Sequence, residues 1–159
     1  MHYSDKAGFL LQLLDQQLEC AALLFETLGH ETTALARNNH AAIEILVAEK
    51  HRHLERLDVL SRQRDTMLNP DKTPAGRQDM ESFLQRHPDS RLEDVWRNLR
   101  GIVVQCQLQN QINGGLIEQS RQRVRRTLSL LTGQDTEDAT YRQNGAVEAA
   151  HLANLSASA

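Results

Sequence analysis

Ser90 to Thr132 carries Leu92, Trp96, Leu99, Val103 and Cys106, then Gln109-Asn110-Gln111-Ile112-Asn113-Gly114-Gly115-Leu116-Ile117-Glu118, then Val124, Leu128 and Leu131. Apolar residues three and four apart mark one face of a helix. The row passes through Asn110 and Asn113, meets two glycines, and resumes at Ile117. This spacing predicts one long helix over about 90–132 with a polar, glycine-bearing waist, the spine on which the other helices pack. Gly114 and Gly115 each cost about 1 kcal/mol against alanine in a helix interior. Either a close approach by another backbone or a local bend would account for them. Asn110 and Asn113 read in two ways, as buried amides that fix helix register or as a polar step in a groove that accepts a partner helix.

Outward from that helix the chain stays helical in pattern. Ser4 or Asp5 is placed to cap a first helix reaching about Ala36, with Leu11, Leu14, Leu18, Ala21, Phe25, Leu28 and Leu35 as its seam and Leu10, Leu13 and Leu24 widening it. Asn38 and Asn39 suit a turn and cap. A second helix over about 40–68 points Ile43, Leu46, Leu54, Leu57, Leu60 and Met67 inward, and its charged residues read as solvated faces. The short connection makes these two helices antiparallel neighbours. Pro70 and Pro74 bound a loop, and Thr73-Pro74 suits a cap with a first-turn proline. A short helix within 74–86, clearest from Arg77 to Arg86, follows with Met80, Phe83 and Leu84 as its apolar face, and Pro88 ends it. Ser90 with Glu93 then reads as a capping box. The fold class is all-α: an elongated antiparallel bundle of three long helices and one short one over 1–132. Residues 133–159 form a weakly structured tail for partner binding, because Val147, Leu152 and Leu155 are too few to bury a helix.

Composition agrees. The 159 residues fit one domain with a real core. Six aromatic residues and three prolines favour aliphatic helices over sandwiches or barrels. A net charge of −3 argues against nucleic acid as the main partner. The run Arg121, Arg123, Arg125, Arg126 has no stacking aromatics beside it and reads as a solvated or partner-facing surface. No apolar run reaches the roughly 18 residues of a membrane span, and the N-terminus lacks a signal-peptide pattern. The expected setting is cytoplasmic, without membrane insertion.

Chemistry finds no foothold. Cys20 and Cys106 fall in apolar patterns and read as small buried hydrophobes. His51 and His53 point to different sides of their helix. Glu148-Ala149-Ala150-His151 is a single copy of a spacing that di-iron sites need twice, with two further glutamates. No nucleophile elbow or phosphate loop occurs. No catalytic residue, metal site or cofactor is expected.

Several spaced residues then become specific together: Asn110-x-x-Asn113-Gly114-x-Leu116-Ile117-Glu118, Leu128, Leu131 and Thr140-Tyr141-x-x-x-Gly145, with Glu49-Lys50-x-x-x-Leu54-x-x-Leu57-Asp58-x-Leu60-x-x-Gln63-Arg64 upstream. In order and spacing, over about residues 5–145, the chain resembles the FlgN-type flagellar export chaperones. The resemblance implies a non-enzymatic chaperone of the cytoplasm. Such a protein binds the C-terminal helices of the hook-filament junction proteins, prevents their premature assembly and escorts them to the flagellar export gate. It also implies client binding by the C-terminal region and a gate-docking role at Tyr141. The partner-binding residues expected on this basis are Asn110, Asn113, Ile117, Val124, Leu128, Leu131, Tyr141 and Gly145. The competing reading is a structural or adaptor bundle whose apolar seams serve oligomerisation, and a homodimer is compatible with either.

Overall fold

The computed structural model describes residues 3–70 and 79–132, with side chains from Asp5 onward. It is all-α, with four helices and no strand among the described residues: α1 (Tyr3–Ala36), α2 (His40–Leu68), α3 (Met80–Arg86) and α4 (Ser90–Thr132). The 43 residues of α4 correspond to roughly 64 Å at 1.5 Å per residue.

Both long neighbours pack on α1, so α1 rather than the longer α4 is the hub. The polar contacts fix the directions. Gln17 bonds to Ser61 at 2.9 Å and Glu31 to Lys50 at 2.9 Å, so α2 runs antiparallel to α1. The Cys106 thiol meets the Ala21 carbonyl at 3.5 Å and the Asn113 amide meets the Leu28 carbonyl at 2.9 Å. Both pairs are 85 residues apart, so α4 runs parallel to α1. α3 covers the end where α4 begins, with Lys6 5.5 Å from the Phe83 ring centre.

Three interlocking rows make the core. On α1 the buried row is Leu10, Leu14, Gln17, Ala21, Leu24, Leu28 and Glu31. Leu14, Ala21 and Leu28 are buried as the expected seam has them, but Leu10, Gln17 and Leu24 take the places of Leu11 and Leu18, which are only partly buried, and of Phe25, which is 37% exposed. On α2 the row is Lys50, Leu54, Leu57, Ser61, Arg64 and Leu68, with Leu60 beside it. On α4 it is Leu92, Trp96, Leu99, Val103, Cys106 and Asn113. All three keep the alternating three-four spacing of a knobs-into-holes seam, with half-buried Asn110 at the step between Cys106 and Asn113 on α4. Met80, Phe83 and Leu84 of α3 close the end of the core as their spacing predicts.

The helix ends follow local chemistry. Asn38 adopts φ 53, a left-handed conformation that asparagine tolerates better than most residues. Asn39 caps α2 through its side chain on the Ala42 amide at 3.2 Å. Ser4 and Asp5 lie inside α1 rather than capping it. Asp79 caps α3 on the Ser82 amide at 2.7 Å, so α3 begins at Met80; the earlier part of the expected helix, before Asp79, lies outside the described residues. That amide bond is the first cause of the lowered Asp79 carboxyl pKa. The capping residue of α4 is Asp89, one before Ser90: its carboxylate accepts from the Arg91 and Leu92 amides at 3.0 and 3.2 Å. An ionised cap also favours the positive end of the helix dipole. The Thr73-Pro74 cap lies outside the described residues.

Helix α4 continues unbroken through Gly114 and Gly115. A Cβ added at either meets nothing within 4 Å, which overturns the close-approach explanation. Within their own bundle the glycines therefore carry only their helical entropy cost. Replacing both by alanine should stabilise the chain by up to about 1 kcal/mol per site, read as a shift of the urea midpoint at unchanged slope. An unchanged or lower midpoint would mean that these backbones need glycine for a reason not seen in α4.

Candidate functional site

At the level of Asn113, five side chains join all three long helices. Asn113 is 1% exposed. Its amide nitrogen donates to the Glu31 carboxylate at 2.7 Å as well as to the Leu28 carbonyl. Its carbonyl oxygen lies 2.6 Å from the Thr32 hydroxyl, which also accepts from Gln109 at 2.7 Å. The second Glu31 oxygen accepts from Lys50 of α2 at 2.9 Å, with both charged side chains at most 5% exposed. Buried polar groups are tolerable when their hydrogen bonds are made, and they accept few alternative registers. Of the two readings of Asn113, the structure gives the internal one. Its amide is committed to its own bundle, so Asn113 does not face a partner. Asn110, one turn earlier, is half-buried.

Burial on α4 falls away after Asn113, and beyond Arg121 the helix has no α1 beside it. The 85-residue offset carried to Ala36, the last residue of α1, falls at Arg121. The eleven residues from Gln122 to Thr132 therefore run roughly 16 Å past the end of α1. The apolar row continues there on the same side of the helix, but bare. Ile117 is 43%, Val124 55%, Leu128 48% and Leu131 78% exposed, and Asn113 is the last buried residue of α4.

Basic residues edge this row: Arg121 and Arg125 are half-buried, and Arg123 and Arg126 are exposed. Arg121 pairs with Glu118 at 3.1 Å. The Glu118 carboxyl is held below its ordinary pKa, first by the Gln122 amide and then by Arg121. The arrangement offers an amphipathic groove wall with a cationic margin and no nucleophile or acid–base pair. It suits an amphipathic helix laid along it. Tyr141 and Gly145, the other two residues expected here, lie outside the described residues, as does the whole 133–159 segment.

A second concavity lies between α1 and α2, a groove of about 1030 Å³ lined by Phe9, Leu13, Val59 and Met67 among others. None of the residues expected to bind a partner touches it. Among the described residues no cluster of His, Cys, Asp and Glu is arranged to hold a metal ion. No described helix is long and apolar enough to cross a membrane.

Charged residues of α2 hold the main surprise. Lys50 and Arg64 were expected on solvated faces, yet both lie in the core row. Arg64 stacks 5.0 Å from the Trp96 ring centre and its guanidinium donates to Gln17 at 3.3 Å. Burial lowers its pKa, with Asp65 opposing. The signal was present in the spacing: Lys50, Leu54, Leu57, Ser61, Arg64 and Leu68 form one uninterrupted seam once residue type is ignored.

Comparison with known proteins adds one finding. The family model described as "FlgN: FlgN protein" matches residues 7–149. No curated protein and no solved structure matches.

Proposed function

Because the chain belongs to the FlgN family of flagellar export chaperones, we propose that its clients are the hook-filament junction proteins, held by their C-terminal helices along the lower half of α4. The observation that supports this site is the continuation of the buried seam, in phase, past the helices that cover it. Ile117, Val124, Leu128 and Leu131 keep core spacing without a core around them. A client that polymerises through terminal amphipathic helices offers the complementary stripe. Occupying that stripe withholds it from assembly.

The 133–159 segment completes the cover in this reading, ordering against client and α4 together. The ordering cost keeps the complex releasable. Tyr141 then serves the next step, docking of the loaded chaperone at the export gate, and Gly145 takes part in partner binding.

Co-purification with a junction protein's C-terminal peptide tests the proposal. Removal of residues 133–159 should weaken capture. Tyr141→Ala should leave capture near wild type and reduce gate binding. Full capture without the tail would remove it from the site. Equal loss of both activities in Tyr141→Ala would reduce that tyrosine to a structural role.

A further inference from the structure

The outer side of α4, about half a turn from the buried seam, carries a second apolar row that the chaperone reading does not use. Val104, Leu108 and Ile112 are 49%, 55% and 53% exposed, and Gly101 and Gly115 flank them on the same side. Apart from the backbone of α4 itself and the adjacent residues, no heavy atom lies within 4 Å of the position a Cβ would take at either glycine. Scattered exposed apolar residues are ordinary, but an aligned row on one helix marks a contact face.

The spacing of this row identifies its occupant. From Gly101 through Val104, Leu108 and Ile112 to Gly115, the intervals are three, four, four and three. The row therefore reads alike in both directions: small, β-branched, leucine, β-branched, small. A two-fold interface brings the same patch of two subunits together, so that each residue meets its counterpart reversed. A reversed copy of α4 centred on Leu108 places leucine against leucine on the axis, Val104 against Ile112, and each Gly101 against Gly115. The glycines let the two backbones approach closely at both ends of the contact. Charges agree with this register. Asp94, which also holds Arg97 of its own helix, falls beside Arg123 of the second copy on one flank, and Arg100, which also bonds Glu81, falls beside Glu118 on the other, each pair occurring twice.

We infer that the outer face of α4 is a self-association surface, an antiparallel two-fold helix pair with Leu108 on its axis. The inference is independent of client binding, because the pairing leaves Ile117, Val124, Leu128 and Leu131 on the far side of the helix. The contact is one helix wide, so the dimer exchanges with monomer as concentration changes.

Sedimentation velocity on the full chain over a concentration series reads the equilibrium. The expected result is a rise toward dimer mass, weakened by about 100-fold in Leu108→Glu, which sets two carboxylates against each other. Thermal unfolding of that variant at low concentration should stay close to wild type, since Leu108 is 55% exposed and lies outside the buried row.

Cysteine cross-linking fixes the register. Val104→Cys chains mixed with Ile112→Cys chains should join through a short bismaleimide, while either variant alone should not. The native thiols stay silent because both are buried, and burial pushes Cys106 up to about 12. A chain that remains monomeric at millimolar concentration overturns the inference. So does cross-linking of Val104→Cys to itself, which would mean a parallel pair. Loss of client capture in Leu108→Glu, with no change in mass, would also overturn it by assigning the face to the client.

Discussion

Lys50→Met should cost about 3–5 kcal/mol of folding stability, the usual penalty for breaking a buried ion pair from one side. Methionine nearly matches lysine in volume, so no cavity is made. The damage comes from Glu31, left as a buried carboxylate whose cation is gone while Asn113 still donates to it at 2.7 Å. Against a total stability of roughly 5–15 kcal/mol for a domain, the loss is visible as a large fall in the urea midpoint. The companion variant makes the cause identifiable. Lys50→Met with Glu31→Gln removes both charges and keeps an acceptor for Asn113, and it should recover most of the loss. Failure of the double variant to recover would show that the lysine stem, rather than its charge, holds α2 to α1.

Leu128→Asp together with Leu131→Asp should have the opposite profile. The two residues are 48% and 78% exposed, so the unfolding midpoint should move by no more than about 0.5 kcal/mol equivalent. Client affinity should fall by about three orders of magnitude. Each leucine buried against a client helix contributes about 2 kcal/mol, and the loss of two corresponds to about a thousandfold in Kd. Isothermal titration with a junction-protein peptide measures it. Retained affinity would move the client to another surface, the α1–α2 groove at Phe9 and Val59 being the first to examine. Reduced affinity with an equally reduced melting temperature would mean that the lower seam belongs to the chain's own fold.

The helices and their order were legible because apolar residues recur at the right spacing and turn residues interrupt them where the chain reverses. Leu92 through Cys106 are buried as their periodicity predicts. Helix α2 runs over the expected residues, and Asn39 caps it. Errors clustered where residue type and position disagree. Lys50, Arg64 and Glu31 occupy core positions of their rows, and a reading that sorts residues by polarity puts charged groups outside. Only the three-four spacing, taken without regard to chemistry, places them correctly. At α4 the sequence offers two good caps, Asp89 and Ser90, and the choice depends on which carboxylate or hydroxyl reaches the free amides.

Periodicity does foretell that Ile117, Val124, Leu128 and Leu131 share a face with the buried row. It cannot foretell that they are bare, since that depends on where α1 ends relative to α4. The register that decides it is set by contacts between residues some 85 positions apart. Val104, Leu108 and Ile112 escaped notice for a related reason. They interleave with the core residues of the same helix, and their separate row emerges only when the exposed positions are read alone.

The unbroken course of α4 through Gly114 and Gly115 gives the polar waist a mechanical sense. From Gln122 to Thr132 the helix extends roughly 16 Å past the end of α1, and no side chain of α4 beyond Asn113 is buried, a cantilever clamped at one end. A sideways load near the tip, such as a tethered client being drawn away, produces its greatest bending moment at the clamp. Leucine seams resist such a load through close packing alone, without a directional bond. Directional bonds do not slide, and the Asn113–Glu31–Lys50 chain places them where the beam enters its wall.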